Sequence, residues 1–145
     1  MPSTLAYDPN NIFAKILLGQ IPSHTVFEDA HTLAFMDVMP QSTGHTLVVP
    51  KAASRNLLDA APNTLALLLP VVQTIARAAL SAFSADGISI LQYNEAAGGQ
   101  SVFHLHIHVV PRFDGVPLKP HSGTMEKPEV LARNAALLRT ALASI

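Results

Sequence analysis

The chain has 145 residues, of which 49% are hydrophobic and 13% charged, with a formal net charge of −1 and no cysteine. A domain of this length can bury a core of its own, and the missing cysteines exclude disulfides, thiolate metal sites and cysteine nucleophiles. The near-neutral charge argues against binding of extended nucleic acid, and a mean hydropathy of +0.31 suggests that a second subunit covers part of the surface.

Four elements are predicted before residue 50, namely a helix over residues 10–18 and strands over residues 24–28, 31–37 and 45–49. Asn10 or Asn11 can cap the helix, and Gly19 ends it. Asp29 and Ala30 form a tight turn between the first two strands.

Five segments are predicted after residue 60, namely a helix over residues 62–83, strands over residues 88–93 and 102–110, a surface loop over residues 112–125 and a helix over residues 128–143. Apolar residues recur at helical spacing in the first helix, where Pro70 should introduce a kink. Pro128 suits the first turn of the last helix, which can be an appendage to the core.

Strands joined by short turns, with helices inserted between them, predict an α+β fold with an antiparallel sheet, in one domain over residues 1–145. Pro70 and polar residues interrupt the longest apolar run before it reaches the roughly 18 residues of a membrane-spanning helix. The N-terminus lacks the basic and then apolar pattern of a signal peptide. We therefore expect a cytoplasmic protein without membrane contact.

Three of the seven histidines lie in residues 102–110, which read Val-Phe-His-Leu-His-Ile-His-Val-Val. Because the side chains of a strand alternate between two faces, His104, His106 and His108 should share one face, with apolar residues filling the other. That face is expected to meet a ligand. Hydrogen-bonded surface histidines are the alternative that requires no function, but strands seldom favour three histidines in register.

These histidines permit two kinds of chemistry. Neighbouring imidazoles can chelate zinc or iron, but His104 and His108 would lie roughly 13 Å apart, so one ion cannot take all three. A third ligand would come from His45, Glu95 or Asp37. In the other chemistry, a neutral imidazole attacks phosphorus, and its histidine neighbours lower its pKa because positive charges repel.

The segment before the histidines, residues 94–101, favours attack on phosphorus. Gly98 and Gly99 allow backbone N–H groups to curl around an anion. Gln100 and Ser101 add side-chain donors. Joined directly to the histidines, this segment is typical of a phosphate-binding loop.

Residues 99–110 resemble the signature of the histidine triad (HIT) family, in which histidines alternate with apolar residues. Further segments similar to the family occur in family order at residues 12–16, 19–22, 27–29, 34–37 and 44–51. The resemblance covers residues 11–112 and leaves the loop and helix of residues 113–145 unmatched. It implies a HIT-like five-stranded antiparallel sheet, and a homodimer whose two sheets join into one continuous sheet of ten strands.

The resemblance also implies a purine nucleotide ligand of the AMP or GMP type and no cofactor. His106 would be the nucleophile that attacks the α-phosphorus and carries the nucleotide until water releases the nucleoside monophosphate. His108 and His45 would hold or protonate phosphate oxygens and the leaving group, and His104 would support the strand. The implied substrate-binding residues are the polar contacts Asn94, Gly99, Gln100 and Ser101, the ribose acceptor Asp37, and the base-pocket residues Ile12, Phe13, Ile16, Phe35 and Val38.

One departure from the family concerns zinc. Many bacterial relatives hold a structural zinc ion with two cysteines, a histidine and the first triad histidine. The positions matching the first three ligands are Asn11, Ala14 and Ala53, which cannot replace them. The resemblance therefore predicts the bacterial nucleotide-binding hydrolase branch without the zinc site, and no metal ligand in the chain.

The resulting hypothesis is a purine nucleotide hydrolase or nucleotidyl transferase acting at the α-phosphate, with a nucleoside phosphoramidase as first choice. A dinucleoside polyphosphate hydrolase is an alternative, because the same site could act on another leaving group. A non-catalytic nucleotide-binding interaction module is a third possibility, against which the four site histidines argue. His24, His31 and His121 carry no motif and are interpreted as surface or turn residues.

Overall fold

The computed structural model describes residues 6–121 and 123–145. Its elements are α1 (Ile12–Leu17), β1 (Thr25–Glu28), β2 (Thr32–Met36), β3 (Thr46–Pro50), α2 (Pro62–Ala82), β4 (Gly87–Leu91), a short 3-10 turn (Ala96–Gly98), β5 (Ile107–Arg112) and α3 (Pro128–Ala143). The strands form one sheet in the order β1-β2-β3-β5-β4, and all neighbours are antiparallel. The predicted α+β fold with a five-stranded antiparallel sheet is confirmed.

Short polar side chains set the local turns at the start of the chain. The Asn11 side chain accepts a hydrogen bond from the N–H of Ala14 at 2.9 Å, which caps α1 as predicted. One carboxylate oxygen of Asp29 accepts from the N–H groups of His31 and Thr32, both at 2.8 Å. These bonds close the turn between β1 and β2 and fix the register of the hairpin.

The main core lies between one face of the sheet and the helices α2 and α3. Val48 and Val109 from the sheet and Ile75 from α2 have no exposed surface. Leu138 of α3 is also fully buried in this cluster. The expectation that the last helix is an appendage is therefore wrong, since its apolar stripe completes the core.

Helix α2 ends one residue before the predicted limit at residue 83, and Pro70 does not divide it into two helices. It continues through Pro70, whose surroundings are exposed, so the carbonyl left without a backbone partner can bond to water. By length and composition alone the helix could cross a membrane, contrary to the expectation that no apolar run is long enough. Leu68, Val72 and Ile75 instead bury one side of it against the sheet and α3.

A smaller apolar cluster occupies the opposite face of the sheet. It joins Phe13 of α1 to Leu33 and Phe35 of β2 and to Leu47 of β3. The rings of Phe13 and Phe35 meet edge to face, with centroids 5.4 Å apart. This cluster fixes α1 beside the histidines, so the face of the sheet away from the main core carries the candidate site.

The predicted strand over residues 102–110 is the largest error in the secondary structure, because β5 begins only at Ile107. The N–H of Leu105 donates to the carbonyl of Ser54 at 2.8 Å instead of joining the sheet. The carbonyl of Pro50 accepts from the side chain of His104, also at 2.8 Å. The backbone before Ile107 therefore leaves the ladder, and the three histidines do not share one strand face.

Candidate functional site

A cavity of about 300 Å³ lies between α1, the end of β2 and the start of β5. The predicted site residues on its wall are Ile12, Phe13, Ile16, Phe35, Asp37, Val38, Ser101, His106 and His108. The remaining predicted residues, His45, His104, Asn94, Gly99 and Gln100, are not part of this wall. The cavity is apolar beside α1, and the titratable groups on its wall are His24, Asp37, His106, His108 and His121.

His104 is held as a structural anchor. Its Nε2–H donates to the carbonyl of Pro50 at 2.8 Å, and its Nδ1 accepts from the hydroxyl of Tyr7 at 2.6 Å. The carbonyl partner decides the tautomer, since a carbonyl can only accept. Burial lowers the pKa of His104, so the ring stays neutral with both nitrogens occupied.

His106 has one nitrogen left for chemistry. Its Nδ1–H donates to the carbonyl of His104 at 2.7 Å, which leaves the lone pair on Nε2. The ring of Phe13 packs against it edge to face, with centroids 4.9 Å apart. Burial is the largest influence on the pKa of His106 and lowers it, so the imidazole is neutral and its free nitrogen can act as a nucleophile.

His45 and His108 form a hydrogen-bonded pair whose protons are set from one end. The backbone N–H of Gln41 donates to Nδ1 of His45 at 3.0 Å, so the proton of this ring lies on Nε2. That Nε2 lies 2.9 Å from Nδ1 of His108, to which it donates. His108 therefore carries its own proton on Nε2, as a donor.

Both members of this pair are kept uncharged. Burial lowers the pKa of His45 to about 4, against a smaller opposing effect of Asp37. Burial also lowers the pKa of His108, and the neighbouring His106 and His45 add charge repulsion. At neutral pH the pair can orient a bound oxygen by hydrogen bonding.

Asp37 lies at the end of β2 and is 5% exposed. Its Oδ1 accepts from the N–H of Met39 at 2.8 Å. Its Oδ2 lies 3.1 Å from Nε2 of His121 and 3.5 Å from Nε2 of His45. The carboxylate thus joins the group of imidazoles at the wall of the cavity.

His121 was interpreted from the sequence as a surface or turn residue, but it lines the cavity. Its ring centroid lies 5.2 Å from that of His108. Backbone hydrogen bonds fix its loop, from Lys119 N–H to Gln41 O and from Glu126 N–H to Val38 O, both at 2.9 Å. Nothing in the spacing of residues 113–127 indicates this approach, because the contacts are with a distant part of the chain.

The loop over residues 94–101 is ordered by its own polar side chains. Gln100 is buried, with Oε1 accepting from Glu95 N–H at 2.8 Å and Nε2 donating to the carbonyl of Arg55 at 2.7 Å. The Asn94 side chain accepts from the N–H of Leu57 at 3.0 Å. Gly99 has a φ of +102°, which favours glycine. The loop holds Ser101 at the cavity, and the direct phosphate contacts of the other three stay predictions.

Asp37, His45, His108 and His121 form a group that could hold a metal ion. One ligand atom from each residue lies within 4.8 Å of those of the other three. Three imidazoles and one carboxylate fit a divalent transition metal such as zinc. The sequence-based argument named His45 and Asp37 as possible partners of these histidines in a metal site, but it missed His121, which carries no motif.

Comparisons with known proteins match the chain to one family. The HIT domain family model matches residues 18–115. Protein hit of Bacillus subtilis is 39% identical over 140 residues, which cover 93% of this chain and 96% of that protein. Adenylylsulfatase HINT3 of Arabidopsis thaliana is 37% identical over 101 residues, which cover 70% of this chain and 51% of that protein.

Two crystal structures are similar over nearly the whole chain. A HIT-like protein from Bartonella henselae, solved with an unknown ligand, is 51% identical with a TM-score of 0.89, covering 94% of this chain and 99% of that one. A Zn-bound histidine triad family protein from Mycobacterium smegmatis is 38% identical with a TM-score of 0.83, covering 93% of this chain and 94% of that one.

The prediction of a branch without a zinc site is wrong. A relative of this similarity binds zinc, and the chain has a group of four residues that could hold a metal. The prediction rested on the positions of the family's structural zinc site, Asn11, Ala14 and Ala53, with His104 as the fourth ligand. The group found here includes His121, from the segment for which the sequence suggested no role.

Proposed function

The chain belongs to the HIT family of nucleotide hydrolases and transferases, and on this premise we propose that it hydrolyses purine nucleoside phosphoramidates. One observation carries the proposal. The carbonyl of His104 accepts a hydrogen bond from Nδ1–H of His106 at 2.7 Å, so the neutral ring presents the lone pair of Nε2 at the cavity wall. This is the arrangement that an imidazole nucleophile needs.

The reaction has two steps. Nε2 of His106 attacks the α-phosphorus, the P–N bond to the amine breaks, and the amine leaves with a proton. Nε2–H of His108, oriented by His45, would donate a hydrogen bond to a phosphate oxygen. Because both rings are neutral, the proton that the leaving amine takes up comes from solvent water. Water then attacks the phosphorus, releases the nucleoside monophosphate and restores the neutral ring.

The remaining predicted contacts have separate roles in binding. The apolar wall of Ile12, Phe13 and Phe35 would enclose the purine base. Asp37 would accept hydrogen bonds from the ribose hydroxyls, and Ser101 would donate to the phosphate. Adenylylsulfatase activity, which gives the Arabidopsis relative its name, supports an adenylyl group as part of the substrate.

We also propose a homodimer, formed at the edge strand β4. Ile90 on this strand is 46% exposed, and it borders an apolar groove along α2 that includes Leu65, Leu69 and Ala76. Pairing of two β4 strands would cover both the open ladder edge and this groove. A cytoplasmic location is part of the same proposal, supported by the packing of α2 within the fold rather than in a bilayer.

The mechanism is tested with His106→Ala and adenosine phosphoramidate. We expect wild-type protein to release the amine and, after rapid quenching, to show a mass increase of one nucleotidyl group on His106. The variant should lose turnover by at least about a thousandfold while still binding AMP. His31→Ala is the matched control, because His31 is exposed in the turn before β2.

Turnover that survives in His106→Ala would show that this ring is not the nucleophile. Equal AMP binding by both proteins with no turnover by either would instead favour the interaction module. Rates of hydrolysis measured on adenosine phosphoramidate and on a dinucleoside polyphosphate show which leaving group the site prefers. Faster cleavage of that substrate would replace the phosphoramidate in the proposal.

A further inference from the structure

We propose that Asp37, His108 and His121 form a binding site for one divalent transition-metal ion of the zinc type, on the wall of the cavity. The proposal concerns binding of the ion alone. It does not depend on the proposed hydrolysis, since it can be measured without any nucleotide.

The distances in this group are close to those of a metal site. Zinc–nitrogen and zinc–oxygen bonds of about 2.0–2.2 Å place tetrahedral ligands about 3.4 Å from one another. Oδ2 of Asp37 and Nε2 of His121 are already 3.1 Å apart, and all ligand atoms of the group lie within 4.8 Å of one another. An ion would therefore shorten the distances between ligand atoms by up to about 1.4 Å.

His121 is the ligand that can make this movement. Its side chain is 37% exposed, whereas that of Asp37 is 6% exposed. His108 is buried in β5 and paired with Leu91 of β4 and Leu47 of β3. Two ligands thus come from buried positions in β5 and directly after β2, and the third is a partly exposed side chain that can shift towards the ion.

His45 supports the site without binding the ion. The N–H of Gln41 donates to its Nδ1, so Nε2 keeps a proton and has no lone pair to offer. When the ion takes Nδ1 of His108, the N–H of His45 can turn to the carboxylate of Asp37, 3.5 Å away. Such a donor to a ligating carboxylate is typical of the outer shell of metal sites.

The donor set also selects the class of ion. Two imidazoles and one carboxylate are the ligands of many catalytic zinc sites, which leave a fourth position for water. Magnesium and calcium prefer oxygen donors, and this group supplies oxygen only from Asp37. Because all three ligands line the cavity, the open position faces the space where a ligand would bind.

The test is equilibrium dialysis of the chelator-treated full chain against Zn²⁺, with Co²⁺ as a spectroscopic probe. We expect the wild type to bind a single zinc ion per chain and to develop the visible d–d absorption of Co²⁺ bound to nitrogen and oxygen. His121→Ala should bind zinc at least about tenfold more weakly and lose this absorption. His24→Ala is the matched control, because His24 lines the same cavity but lies outside the group.

A second readout controls for folding. Zinc should raise the Tm of the wild type and of His24→Ala by mass action, and should not raise that of His121→Ala, whose Tm without metal should match the wild type. The proposal is overturned if the wild type binds no zinc, or if His121→Ala binds zinc as tightly as the wild type. Equal weakening in both variants would assign the binding to dispersed histidines and would also overturn it.

Discussion

Backbone groups place the protons of His45, His104 and His106, and His45 in turn places the proton of His108. The carbonyls of Pro50 and His104 accept from His104 and His106, respectively, and the N–H of Gln41 sets the proton of His45. Backbone groups cannot exchange donor for acceptor, so these tautomers are fixed by the fold itself. The lone pair on Nε2 of His106 is therefore available before any ligand binds.

The pH dependence of activity follows from the neutral state of His106. Burial lowers the pKa of this ring below the ordinary value of 6.5, so the nucleophile stays unprotonated as the pH falls through 6.5. Activity is lost only when the pH passes through the lowered pKa. We expect the acid limb of kcat/KM, measured against pH, to have its midpoint below 6.5. A midpoint at or above 6.5, after correction for the pH dependence of AMP binding, would contradict the assignment.

Between β2 and β3, the loop that delivers His45 depends on a glycine. Gly44 has a φ of +84°, and a Cβ atom there would lie 2.4 Å from Cε2 of Phe83, at the end of α2. The residue therefore combines a left-handed backbone with a close approach to an aromatic ring. The close contact with Phe83 thus fixes the backbone directly before His45.

Gly44→Ala should lower the free energy of unfolding by about 2–4 kcal/mol, from backbone strain together with overpacking against Phe83. Gly115→Ala is the matched control, because Gly115 has a φ of +75° but no atom within 4 Å of the added Cβ. Its free energy of unfolding should fall by only about 1 kcal/mol, because backbone strain is the one cost there. Urea denaturation of both variants makes the comparison. Equal losses would mean that the ring of Phe83 moves aside without cost.

At the scale of the whole molecule, the sheet has two edges, β1 and β4. The edge at β4 lies beside exposed apolar residues of α2, such as Leu69, which is 61% exposed. An apolar edge of this kind is usually covered in a stable protein. The proposed dimer covers it and accounts for the high apolar content of the chain.

Ile90→Lys tests this interface by placing a charge on the exposed edge. We expect the wild type to sediment as a dimer and the variant to shift to monomer, because a buried unpaired lysine is costly and edge lysines oppose strand pairing. Leu18→Lys, at an exposed apolar position after α1, is the control and should remain dimeric. A monomeric wild type, or a dimer that survives Ile90→Lys, would refute the β4 interface.

The sequence alone determined the fold class, the order of the elements and the family. Short-range chemistry sets these features, such as the Asn11 cap, the Asp29 turn and the apolar periodicity of α2. It could not predict where β5 begins, because that depends on competition for the carbonyls of Pro50 and Ser54, which are far away in the chain.

Only the tertiary structure decided which groups surround the reacting centre. His121 comes from a loop without a motif, yet its contact with Asp37 spans 84 positions of sequence and creates a group that could hold a metal. The tautomers of His45, His106 and His108 likewise depend on partners that spacing does not show. Sequence spacing shows only which side chains are near one another along the chain. The site depends on hydrogen-bond donors and acceptors that come together only when the chain folds.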